Sequence, residues 1–132
     1  MVKSERASAN MQARPGSRGK PEGRVRVHFG KINIGGFCNE PKVVRVVSRG
    51  RRGLEYCYAK RLEKGSSGKE TVTTDWVIEE DGSVANVIVR ASTLNNKRVE
   101  ECMQMMIRKW RFGKPDGGDC KIRCPLYFEP AL

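Results

Sequence analysis

Val72-Thr73-Thr74-Asp75-Trp76-Val77-Ile78-Glu79-Glu80-Asp81-Gly82-Ser83-Val84-Ala85-Asn86-Val87-Ile88-Val89-Arg90-Ala91 is the stretch from which the fold can be read. Val72, Thr74, Trp76 and Ile78 recur at every second position, the period of a half-buried strand. Asp81-Gly82 is a turn dipeptide, and residues 84–91 form a second strand-like run. Together they predict a β-hairpin.

Working outward, residues 24–34 alternate as well, with Val25, Val27 and Phe29 on one face, and Gly35-Gly36 ends that strand. Asn39-Glu40-Pro41 reads as a helix start: a small polar cap, then proline in the first turn, where its missing N–H costs nothing. Val43, Val47, Leu54, Cys57 and Tyr58 follow at near-helical spacing, so one helix is expected as far as Leu62. Gly50 and Gly53 weaken its middle by about 1 kcal/mol each relative to alanine. Residues 63–68 read as a loop. Gly68-Lys69 lacks the GxxxxGK[ST] spacing that cradles phosphate. Beyond the hairpin, Asn95 or Asn96 can cap a second helix, on which Val99, Cys102, Met103, Met106, Ile107 and Trp110 form one apolar stripe. Met103 and Met106 are read as core filler. Lys114-Pro115-Asp116-Gly117-Gly118 breaks the pattern, and Cys120, Ile122, Cys124, Leu126 and Phe128 line one face of a last strand.

The order strand–helix–strand–strand–helix–strand predicts an α+β two-layer sandwich, an antiparallel sheet with both helices on one face. Pro125 has no N–H for a ladder, which predicts that the last strand lies at a sheet edge or is bulged.

The chain holds 132 residues, room for one domain and a tail. Of the net charge of +11, +6 falls on residues 1–31. Residues 1–23 are expected to be a basic, disordered arm and residues 24–132 the folded domain. Such an arm can contact an anionic polymer, or serve only as a linker. With 38% hydrophobic residues, no apolar run approaches the ~18 residues of a membrane span, and the N-terminus lacks a signal-peptide core. An extracytoplasmic role would therefore require that the chain be part of a longer exported protein. If residue 1 is the true start, a cytoplasmic place is expected.

Metal binding is not expected, since paired ligands such as CxxC are missing and His28 stands alone. Catalysis has no nucleophile motif to support it, Glu79, Glu80 and Asp81 sit in a turn, and no dinucleotide loop follows a strand, so neither an enzyme nor a cofactor is expected. Cys120 and Cys124, roughly 13 Å apart on a regular strand at about 3.3 Å per residue, lie too far apart to bridge each other. Cys57 and Cys102 each lie on the apolar stripe of a helix covering the same sheet, so they can meet. Two buried thiols would equally fit that placement.

Cys57-Tyr58, Leu62, the Val72/Thr74/Trp76/Ile78 alternation, Asp81-Gly82-x-Val84, Ser92-Thr93-Leu94, Val99-x-x-Cys102 and Trp110-x-Phe112-x-x-Pro115-x-Gly117-Gly118 form an ordered series closed by Pro125 and Phe128. Over roughly residues 34–128 this series resembles the AgmX/PglI C-terminal domain of gliding-motility proteins, a relative of the TonB C-terminal domain. Glu70 and Gly113 depart from it, where that family tends to place Gly and Pro. The resemblance implies a protein-binding domain of a cell-envelope or periplasmic energy-transduction system. It also implies that Cys57 and Cys102 are a matched pair, bridged in an oxidising compartment; the states of Cys38, Cys120 and Cys124 stay open. The implied partner is a peptide of an envelope or outer-membrane protein, added as a strand. The edge expected for it runs over 121–128, where Lys121, Arg123, Pro125 and Tyr127 would meet it. Charged residues there would also protect an edge from aggregation. A homodimer is left open. The rival reading is a basic nucleic-acid module of RNA-recognition topology, using the N-terminal arm. It needs two or three stacking aromatics, whereas the hairpin offers only Trp76, in phase with the apolar set.

Overall fold

The computed structural model describes residues 25–62, 69–115 and 117–130. The arm expected over 1–23, the loop expected over 63–68 and Asp116 of the expected turn lie outside them. Strands β1 (Val25–Phe29) and β2 (Asn33–Gly35) come first, followed by helices α1 (Glu40–Arg49) and α2 (Arg51–Leu62). The hairpin is β3 (Glu70–Ile78) and β4 (Val84–Ser92), followed by α3 (Lys97–Arg108) and β5 (Cys120–Pro130). The protein is an α+β two-layer sandwich with an antiparallel sheet, as its periodicity predicts.

Both expected helix starts are capped, the second by Asn96 and not Asn95. Asn39 accepts the Lys42 N–H through Oδ1 at 3.1 Å, and Asn96 accepts that of Val99 at 3.2 Å. The first helix differs from expectation, because it is two helices broken at Gly50. The space that a β-carbon would need at Gly50 is filled by the Trp110 indole, so the glycine that weakens the helix also admits that ring. Trp110 in turn meets Trp76 edge-on, with ring centres 5.7 Å apart.

One core lies between the layers. Val43 and Val47, Leu54 and Tyr58, and Val99, Met103 and Ile107 pack from the helices onto Val72, Trp76, Ile122 and Leu126 of the sheet. The alternation along β5 is complete: Cys120, Ile122, Cys124, Leu126 and Phe128 are all buried. Thr74 is the buried polar member of this face. Its hydroxyl donates to the Cys124 carbonyl at 3.0 Å and accepts the Trp76 Nε1–H at 3.2 Å, which leaves neither group orphaned.

The expected first strand is also divided. Between β1 and β2 the chain leaves the ladder, and the Gly30 N–H returns to the Pro125 carbonyl at 3.0 Å. Gly30 permits this because a β-carbon there would lie 2.8 Å from the Tyr127 ring and 2.9 Å from Pro125.

The strand order corrects the expectation for the last strand. The sheet runs β1–β5–β3–β4, with β2 also paired to β5. β5 is therefore an interior strand: Val27 lies opposite Phe128 on one side, and Thr74 opposite Cys124 on the other. Pro125 is tolerated inside the sheet for a local reason. A ladder residue turns its N–H and C=O to the same neighbour, and the Pro125 carbonyl points to Gly30. The N–H that proline lacks thus falls at the gap between β1 and β2, where the ladder is already interrupted.

Candidate docking surfaces

Lys121, Arg123, Pro125 and Tyr127 stand together on the sheet face away from the helices, not along an edge. Arg123 is tied to Asp75 by two hydrogen bonds, Nε to Oδ1 at 2.9 Å and Nη2 to Oδ2 at 3.2 Å. Arg90 reaches the same Oδ2 from β4, also at 3.2 Å. The hydrogen bonds to Asp75 raise the Arg123 guanidinium above its ordinary pKa, so it stays a cation. A shallow groove of about 390 Å3 crosses this face, with Asn33, Asp75, Asn86, Ile88, Lys121 and Arg123 among its walls. Tyr127 is 45% exposed beside it.

The true edges lie elsewhere. On the β1 side, the backbone N–H of Val27 donates to Glu55 Oε2 of α2 at 3.0 Å, so a helix side chain caps that edge. β2 offers only three residues. On the far side β4 runs for nine residues, with β3 as its one strand partner among the described residues. Its ladder shifts register between Thr73 and Thr74 and between Asp75 and Val77, where Asn86 takes a φ of 55°. Such bulges twist an edge and are a common protection against uncontrolled pairing. The Val87 carbonyl accepts Gln104 Nε2 at 3.1 Å, and Ile88 is exposed.

Two disulfides cross the core. Cys57 and Cys102 join α2 to α3 with Cα atoms 5.7 Å apart, in keeping with the pairing that the family resemblance implies. Cys38 and Cys120 form a second bridge, 5.9 Å between Cα atoms, which ties the entry to α1 to the start of β5. Sequence reasoning left this pair open, because the two cysteines lie 82 residues apart and only the sheet order brings them together. Cys124 is the free cysteine among the described residues, and burial pushes its thiol up to about 12.

His28 stands on the exposed side of β1 with Nε2 2.8 Å from Glu129. Among the described residues, no three His, Cys, Asp or Glu side chains gather so as to hold a metal ion, and no helix is long and apolar enough to cross a membrane. Trp76 is buried beneath the helices, so the exposed face of the interior strands presents Tyr127 as its one large aromatic ring. Comparison of the chain with protein-family models, with curated proteins and with solved structures finds no match.

Proposed function

We propose that this domain is a protein-docking module of a cell-envelope system, of the TonB-like or gliding-motility kind, which captures an extended peptide of an envelope partner as an added strand beside β4. The observation that carries the reading is the asymmetry of the two edges. β1 has five residues and is capped by Glu55, and β2 has three, whereas β4 has nine, of which Gln104 occupies only the Val87 carbonyl, and among the described residues it has a strand partner on one side only. An added strand gains affinity from backbone hydrogen bonds and selectivity from alternate side chains. At β4 those side chains would meet Ile88 and Arg90. The two disulfides favour a periplasmic or other oxidising location, because such bonds persist there. The ordered motif series from Cys57 to Phe128 supports the same assignment.

The test is an NMR titration of the oxidised protein with envelope-protein peptides at low and high salt. Amide shifts and exchange protection should concentrate on residues 84–92, and most of the affinity should survive added salt, since backbone pairing neutralises few charges. Binding to nucleic acid alone, lost steeply with salt, would instead favour the RNA-recognition reading.

A further inference from the structure

The outer side of the helical layer carries a surface that peptide capture does not use. On α2, Arg52, Tyr56 and Lys60 succeed one another at four-residue steps, on the side opposite buried Leu54 and Tyr58. On α3, Arg98, Glu101, Met105 and Arg108 form the matching stripe, opposite Val99, Met103 and Ile107. The two helices run antiparallel, since Gly53 faces Met106 and Cys57 is bonded to Cys102. Their outward stripes therefore lie side by side, with Tyr56 and Met105 at similar heights in the middle, Arg52 and Arg108 toward one end, and Lys60, Arg98 and Glu101 toward the other. Tyr56 and Met105 are each 56% exposed, and the Lys60 ammonium lies 4.8 Å from the centre of the Tyr56 ring. Glu55, the other acid nearby on α2, is turned away to cap β1.

We propose that this two-helix face docks on an anionic phospholipid surface. Four cations against one acid, Glu101, surround one tyrosine and one methionine, and this cationic excess around an apolar centre matches a layer of phosphate headgroups above a hydrocarbon boundary. Tyrosine is at home at that depth, with its ring among acyl chains and its hydroxyl in water. A nucleic acid is the weaker fit. Base stacking needs free aromatic faces, and here there is a single ring already approached by Lys60. The disulfides also point to compartments bounded by lipid. In a two-layer fold the docked face lies opposite the sheet, so β4 stays open to a peptide while the domain rests on the membrane.

The experiment is flotation of the full, oxidised chain with vesicles of phosphatidylcholine alone and of phosphatidylcholine mixed with phosphatidylglycerol. Since each cation near such a surface contributes about fivefold in partitioning, Arg52→Gln/Lys60→Gln should weaken binding to the anionic vesicles about 25-fold. Tyr56→Ser/Met105→Ser should weaken it too, at unchanged charge. Arg26→Gln/Lys121→Gln, on the sheet side, should leave it nearly intact, and every comparison keeps the basic N-terminus constant. An equal loss from the sheet-side pair, full binding by Tyr56→Ser/Met105→Ser, or no preference for anionic vesicles would overturn the proposal. So would capture of an oligonucleotide, sensitive to the same variants, without vesicle binding.

Discussion

The carboxylate of Glu55 accepts the backbone N–H of Val27 at 3.0 Å, so a residue of α2 closes the outer edge of β1. The contact spans 28 residues and is partly buried. A hydrogen bond to a charged group contributes about 1.5–3 kcal/mol. Glu55→Ala should therefore lower the stability of the oxidised protein by about that amount in urea unfolding, whereas Glu55→Gln, which keeps an acceptor oxygen, should lose less. If the alanine variant matched the parent, the edge cap would carry no weight.

The disulfides make a covalent prediction. Digestion of the oxidised protein under non-reducing conditions should release one peptide pair joined through Cys57 and Cys102 and another through Cys38 and Cys120. Closing a loop of 45 residues by chain entropy is worth about 4 kcal/mol, and native strain commonly trims that. Cys57→Ala/Cys102→Ala should lose about 2–4 kcal/mol. A mapped Cys120–Cys124 link would contradict both the strand geometry and the fold.

Cys124 predicts an alkaline weakness. Its thiol ordinarily ionises near 9.0, and burial holds it to about 12 in the folded chain. Between these values the unfolded state binds fewer protons, so stability falls as pH rises through that window. The loss is on the order of 4 kcal/mol by the top of it. At pH 8 the native thiol should resist iodoacetamide and react once the chain is unfolded. Cys124→Ala should flatten the alkaline limb, read from unfolding curves at stepped pH.

Gly82 predicts a contrast between two glycines. It has a φ of 89°, and a β-carbon there would collide with the Phe112 carbonyl; the Phe112 N–H in turn donates to the Gly82 carbonyl at 2.8 Å. Gly82→Ala meets both a strained backbone and a clash, so it should cost about 3 kcal/mol or more. Gly113 has nothing within 4 Å of its own missing β-carbon, and Gly113→Ala should be nearly neutral. Equal thermal midpoints for the two variants would rule out this account.

Thr74 predicts a hydrogen-bond cost inside the core. It is fully buried, and its hydroxyl is the acceptor for Trp76 Nε1. Thr74→Val keeps the shape but orphans the indole N–H, at about 1–3 kcal/mol, while Thr74→Ser should keep the bond. Calorimetry on the two variants distinguishes a polar contribution from simple packing.

The local elements were legible because each rests on a short-range signal. Val72, Thr74, Trp76 and Ile78 announce their common face by period alone, and Asn39 and Asn96 announce the helix starts by their capping chemistry. The break at Gly50 was only half legible. Its helix-weakening effect could be read, but the indole of Trp110 that occupies the space comes from 60 residues away. Pro125 misled for a related reason: the rule that proline prefers an edge is sound, yet a gap in a neighbouring strand satisfies it equally well.

The sequence by itself determined the element types, the two-layer class, the buried faces of β1, β3, β5 and the helices, and that Cys57 and Cys102 could meet. All of these follow from spacing along the chain, which sterics translate directly into direction in space. Tertiary structure alone decided that β5 lies between β1 and β3, that Cys38 bonds Cys120, that Glu55 caps β1 and that β4 is the long edge. Each depends on which of several competing partners wins, from Glu55, 28 residues from Val27, to Phe128, which pairs with Val27 across the sheet from the far end of the chain. Periodicity is silent on that competition, because it is settled by the simultaneous packing of every strand and helix rather than by any one of them.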